Sequence, residues 1–171
     1  MTADELAAAV GAAAAHELDR ALDRIKHCLG QLTDDQVWHR SQPGLNSIGN
    51  LILHLCGNLR QWIVAGLGGA PDERNRSAEF AERGPVPKEE LVRSLEAVAK
   101  EAKRVLAGVD ARQLAEPRRI QFDVTGVAAI FNSVPHFRGH TQEIIHLTRL
   151  QLGDAYKFAW TPITPEQGAP V

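Results

Sequence analysis

The stretch 125–153, TGVAAIFNSVPHFRGHTQEIIHLTRLQLG, decides how this chain is read. Thr125 is a good N-cap, Gly153 is placed to stop a helix, and apolar residues recur between them at helical spacing. One long helix is predicted. Pro135 lies inside it and predicts a kink, because proline removes a ladder hydrogen bond and crowds the preceding turn. On a helical wheel Arg138, Gln142, His146 and Arg149 share an arc that faces water. His136 and His140 fall on the opposite side, at roughly 180° and 220° from Val127, beside Ala129, Ser133, Ile144 and Leu147. They are one turn apart, so both imidazoles project from one face. A lone inward histidine is usually a satisfied core residue. Two on one face must each find a partner or lower their pKa at a cost, and a shared metal ion satisfies both.

A second helix is read from Asn46 or Ser47 to Gly66, NSIGNLILHLCGNLRQWIVAG. Its apolar face is Ile48, Leu51, Ile52, Leu55, Leu59, Trp62 and Ile63. His54 falls roughly 120° from the centre of that face, and Asn58 and Gln61 share its flank. Such a strip borders the core, where a site can open between helices. Three neutral imidazoles, His54, His136 and His140, from two facing helices can hold a divalent metal and leave a coordination position open.

Two further helices complete the reading. The first runs from Thr2 to Leu32, with capping-box spacing between Thr2 and Glu5 and a stripe of Leu18, Leu22, Ile25, Leu29 and Leu32. A short turn capped by Thr33 and Gln36 follows. The third helix opens with Pro87 as its first residue and carries Leu91, Leu95, Val98, Ala102, Val105 and Val109. The loop between helices two and three is long enough to return the chain, so these two helices are expected to run parallel. One helical turn is expected within Ser77–Arg83. Residues 110–125 read as irregular, with IQFDV as a short extended piece. The expected fold class is all-α, a four-helix bundle in one domain over 1–171, with a tail from about 154 that packs over the bundle or frays.

Composition narrows the partners. A formal net charge of -2 without a basic tract argues against nucleic acid. The alanine-rich N-terminus lacks a basic n-region and is broken by Asp4, Glu5, His16 and Glu17, so no signal peptide is expected. No apolar run reaches spanning length, and a cytoplasmic protein is the expectation. Cys28 and Cys56 have no paired spacing and read as small core residues. His16, His27, His39 and His146 read as surface or boundary residues. Glu143 shares the face of His136 and His140. It suits a fourth ligand, an acceptor for an imidazole N–H or a general base, and equally a boundary glutamate paired with an arginine. Asn58 and Gln61 suit substrate orientation, with ordinary helix–helix hydrogen bonding as the plainer alternative.

Trp38 with the loop through Pro43, NSIGNLILHL, HFRGHTQEI and the LTRLQLG ending together resemble the DinB-like family, in its domain-of-unknown-function branch. The resemblance covers nearly the whole chain. It implies a bundle with up-down-down-up connectivity, and a divalent metal on one histidine of the second helix and an HxxxH pair of the fourth. His54, His136 and His140 stand at those positions. It also implies a homodimer and, by analogy with some members, transferases or isomerases that use a low-molecular-weight thiol. Many members carry Gly-Gln shortly after the second histidine of HxxxH, whereas Thr-Gln-Glu143 follows here.

The expected function is a metal-dependent enzyme acting on a small molecule. Zinc, nickel, iron and manganese all accept imidazole, so the ligands do not choose the metal. Thiol-dependent S-transfer is the leading expectation and metal-dependent hydrolysis the alternative. A non-catalytic dimeric module with a structural or absent metal is the third reading.

Overall fold

The computed structural model describes residues 1–84 and 86–160. They form a mostly helical protein in which four long segments carry the core. Helix α1 is Ala3–Leu29, opened by the Thr2–Glu5 capping box, whose Glu5 N–H donates to Thr2 Oγ1 at 3.1 Å. It stops three residues short of the expected Leu32. Gly30 is a poor helix former, and the capping box of Thr33 and Gln36 starts the short α2, Asp34–Trp38. Helix α3, Ile48–Leu59, is capped by Ser47 and continues into a π-helical turn, Arg60–Ala65. The expected limits of this helix hold, but its last third is wound more widely than an α-helix.

The long connection contains α4, Arg76–Ala81, capped by Asn75. Helix α5 is Lys88–Ala107, with Pro87 as its N-cap rather than its first residue. Residues 110–125 are more ordered than expected. Asp110 caps α6, Ala111–Ala115. Strands β1, Pro117–Arg119, and β2, Asp123–Thr125, pair antiparallel with Arg118 opposite Val124. Ile120, Gln121 and Phe122 form the tip between them. Helix α7, Gly126–Leu152, starts at the Thr125 N-cap and runs unbroken through the exposed Pro135 to Gly153, whose φ is +53°. Residues 161–171 of the expected tail lie outside the described residues.

Helix α1 packs against α5 and α7, and α3 packs against the same two. The centre is filled by Leu18 and Ile25 of α1, Leu51 and Leu55 of α3, Leu91 and Leu95 of α5, and Phe137 and Ile144 of α7, all at most 1% exposed. Each such side chain contributes about 1.5–3 kcal/mol of transfer free energy. Removing a site residue therefore leaves the scaffold largely standing. Two glycines of α3 allow close approach. A Cβ on Gly49 would lie 2.8 Å from the Trp38 ring, and one on Gly57 would lie 1.9 Å from Glu79 Oε1. The second of these matters for the site.

Candidate metal centre

The site forms where α3, α4 and α7 meet. His54 of α3 is 5% exposed, and His136 and His140 of α7 face it. One ligand atom from each of the three lies within 4.8 Å of the others. His54 Nε2 and His136 Nε2 are 2.8 Å apart, and the ring centroids are separated by 4.5 to 5.2 Å. Tetrahedral ligands at ~2.1 Å from zinc would stand about 3.4 Å from one another. The observed nitrogens bracket that spacing, so small side-chain shifts suffice. The donor set fits a divalent ion.

The outer nitrogens are held as a metal site requires. His54 Nδ1 lies 2.9 Å from Glu79 Oε2, and His140 Nδ1 lies 2.7 Å from Glu143 Oε2. A carboxylate only accepts, so Glu143 sets the proton of His140 on Nδ1 and leaves its Nε2 lone pair free. His54 Nδ1, by contrast, lies between Glu79 Oε2 and the donor Arg74 Nη2, 3.0 Å away. Glu79 is itself clamped. Arg74 Nε donates to Oε1 at 2.7 Å and Arg74 Nη2 to Oε2 at 2.9 Å. The two side chains are only 3% and 9% exposed. Burial pushes the Glu79 carboxyl up, but hydrogen bonds and charge from Arg74 and His54 outweigh it and hold the group below its ordinary range. The bare Gly57 leaves the space in which Glu79 sits. Asn50 Nδ2 donates to the backbone carbonyls of Glu79 and Glu82 at 2.9 and 3.0 Å, which fastens α4 to α3.

His136 carries the clearest electrostatic signature. Burial, then the charges of His140 and His54, push it down to about 4. Arg74 and Arg76 add to the depression. A neutral imidazole is the form that binds metal.

A cleft of about 240 Å³ is lined by two of the three histidines, His54 and His136. His54, Asn58 and His136 form its floor, and Trp62 and Phe122 stack edge to face at 5.4 Å on one side. Arg74, Arg76, Gln121 and Asn132 complete it. Phe80 covers His54 at 4.9 Å between ring centroids, and the Arg76 guanidinium lies 4.9 Å above Phe80.

The three expected histidines thus converge. Asn58 is buried, accepts from Ser133 Oγ at 3.0 Å and lines the cleft. Gln61 stands behind the cleft, bonded to Asp72, Arg74 and Gln121. Glu143 is 45% exposed and meets His140 at Nδ1, the position of an N–H acceptor. Cys56 stays apart, and burial pushes its thiol up to about 12. Sequence reasoning missed Arg74, Glu79, Phe80, Arg76, Gln121 and Phe122. The one available signal was the length of the connection after helix two, since long loops often carry function.

A model of the family described as a protein of unknown function, DUF1572, matches residues 9–165, and the chain belongs to that family. No curated protein matches. Among solved structures the chain is similar to a conserved protein from Enterococcus faecalis. That match has 22% identity and a TM-score of 0.72, over 84% of this chain and 98% of that one. It is also similar to a DinB-like protein from Bacillus cereus, with 16% identity and a TM-score of 0.59, over 77% and 85% of the two chains. These likenesses establish a DinB-like fold, in agreement with the resemblance read from the sequence. Among the described residues no helix is long and apolar enough to cross a membrane.

Proposed function

We propose that this protein is a metal-dependent enzyme whose His54, His136 and His140 hold one divalent ion with a position open to the cleft. The carrying observation is the convergence of three imidazoles beside a cleft, two of them with Nδ1 against a carboxylate. When bound, the ion supplies Lewis acidity that lowers the pKa of a thiol or a water at the open position. Glu143 holds a proton on Nδ1 of His140, and Glu79 with Arg74 holds the His54 ring at its Nδ1, which keeps the Nε2 atoms turned to the ion. Both carboxylates are committed to this task, and Glu79 also to Arg74. That favours a nucleophile that needs no protein base, so thiol-dependent S-transfer is the leading reading and hydrolysis of an ester or amide the second. Asn58 and the aromatic pair Trp62–Phe122 position the small-molecule electrophile.

The same reading takes the fold as a single-domain four-helix bundle with up-down-down-up connectivity that works as a cytoplasmic homodimer. Its support for the dimer is the apolar α1–α7 groove lined by Val10, Ala14, Ile130 and Val134, where Phe131 is 67% exposed. Light scattering at micromolar concentration tests that part. The activity test is conjugation of a reactive electrophile by the zinc-loaded protein with and without added thiol. The expected result is thiol-dependent turnover that disappears in His136→Ala. Thiol-independent ester cleavage, lost in the same variant, would select the hydrolase instead. No turnover of either kind, with the ion bound at a closed site, would leave the module with a structural metal.

A further inference from the structure

We infer that the cleft binds its substrate through a carboxylate, with Arg76 as the anchoring cation and Trp62 and Phe122 as the apolar wall. The inference rests on the metal-site reading for what lies at the other end of the cleft, and on the cleft's own charge and shape for the rest.

Two guanidiniums line this cleft, and they differ in availability. Arg74 is nearly buried, and it spends Nε on Glu79, Nη2 on Glu79 and His54 Nδ1, and Nη1 on Gln61 Oε1 at 2.9 Å. Its charge is balanced by Glu79. Arg76 is exposed and has no hydrogen-bond acceptor among the described residues. Its guanidinium carbon lies 4.9 Å from the centroid of Phe80, whose ring packs on His54. This cation–π contact uses none of its N–H groups, which leaves them free for a carboxylate. Among the described residues no carboxylate lines the cleft. Three neutral imidazoles with a divalent ion, plus Arg76, give the cleft a net positive field, which selects anions and raises their local concentration. Trp62 and Phe122 add an aromatic wall, and the hairpin tip that supplies Phe122 also supplies Gln121, whose Nε2 donates to Gln61 Oε1 and keeps one N–H. An acid with a short hydrocarbon or aromatic body satisfies every part of this lining. A neutral or cationic molecule leaves Arg76 unpaired.

The test uses zinc-loaded protein and two probes of matched shape, phenylacetate and 2-phenylethanol, measured by titration calorimetry. Zinc content is assayed on the same samples. Wild type is expected to bind phenylacetate at least about tenfold more tightly than the alcohol. Arg76→Ala should abolish that difference at unchanged zinc content, and Arg76→Lys should keep part of it. Equal binding of the two probes by wild type, or a preference that survives Arg76→Ala, overturns the inference. Protein that takes up no zinc yet shows the Arg76-dependent preference would uphold the carboxylate subsite while removing the metal reading. If Arg76→Ala loses zinc through movement of Phe80, Arg76→Lys decides. Retained zinc with a reduced but surviving preference for the acid in Arg76→Lys supports the anchor, and a preference equal to that of wild type at full zinc content overturns it.

Discussion

Glu79→Ala is the substitution that best probes how the site is built. It removes one half of a buried ion pair and leaves Arg74, 3% exposed, with only neutral partners, Gln61 Oε1 and His54 Nδ1. Breaking a buried pair in this way costs about 3–5 kcal/mol, because a desolvated charge is left uncompensated. The retained bond to Gln61 places the expected loss at the lower end, about 3 kcal/mol. In a chain of this size that lowers the melting temperature by roughly 6–12 °C. The same substitution removes the carboxylate from His54 Nδ1 and leaves the donor Arg74 Nη2 beside it, which disturbs the tautomer and the ring orientation. Loss of such an outer partner weakens metal binding about 10–100-fold. Thermal unfolding of the metal-free protein followed by circular dichroism gives the first quantity, and zinc titration the second. Arg74→Met combined with Glu79→Ala should recover part of the stability but none of the metal affinity. A single-variant loss below about 1 kcal/mol, or unchanged zinc affinity in a folded Glu79→Ala protein, would refute this account of the clamp.

Three further outcomes are expected. His136 sits at about 4 in the folded chain against an ordinary 6.5, so the unfolded chain takes up this proton first. Its contribution is present above about pH 6.5 and lost as pH falls to about 4, amounting to about 1–2 kcal/mol after solvent screening. Urea unfolding of metal-free protein across that range should show the loss, and His136→Gln should flatten it. An equal slope in both proteins would contradict the assignment. Gly49→Ala should cost about 1–3 kcal/mol by forcing the Trp38 ring from its seat 2.8 Å away, measured by urea unfolding. Wild-type stability there would mean that Trp38 moves freely. Cys56, pushed up to about 12, should resist iodoacetamide in native protein near pH 8 and react readily in urea. Fast native alkylation would show a thiolate where none is expected.

The ligands could be read from the chain because helical phasing is local. His136 and His140 share a face by spacing alone, and His54 lies on a flank that borders the core of its own helix. The limits of α7 followed from Thr125 and Gly153 for the same reason. The partners that complete the site depend on contacts distant in sequence. Glu79 reaches His54 only because Asn50 holds the α4 carbonyls and Gly57 leaves room, and neither fact has a periodic signature. Gln121 and Phe122 enter the cleft because Arg118 pairs with Val124, in a hairpin too short to show strand alternation. The π-helical turn at Arg60–Ala65 was equally hidden, since its apolar residues also satisfy α-helical spacing. Such turns are frequent at functional sites, and this one carries Gln61 and Trp62.

The central claim is that three imidazoles share one ion and leave it open to the cleft. Anomalous diffraction at the zinc edge, on crystals of zinc-loaded protein, tests it most directly. The account predicts one peak per chain at ~2.1 Å from Nε2 of His54, His136 and His140, with a solvent or small-molecule ligand in the fourth position. Zinc coordinated directly by Glu143 with no opening to the cleft, or side chains of the three histidines bound to different ions, would contradict it.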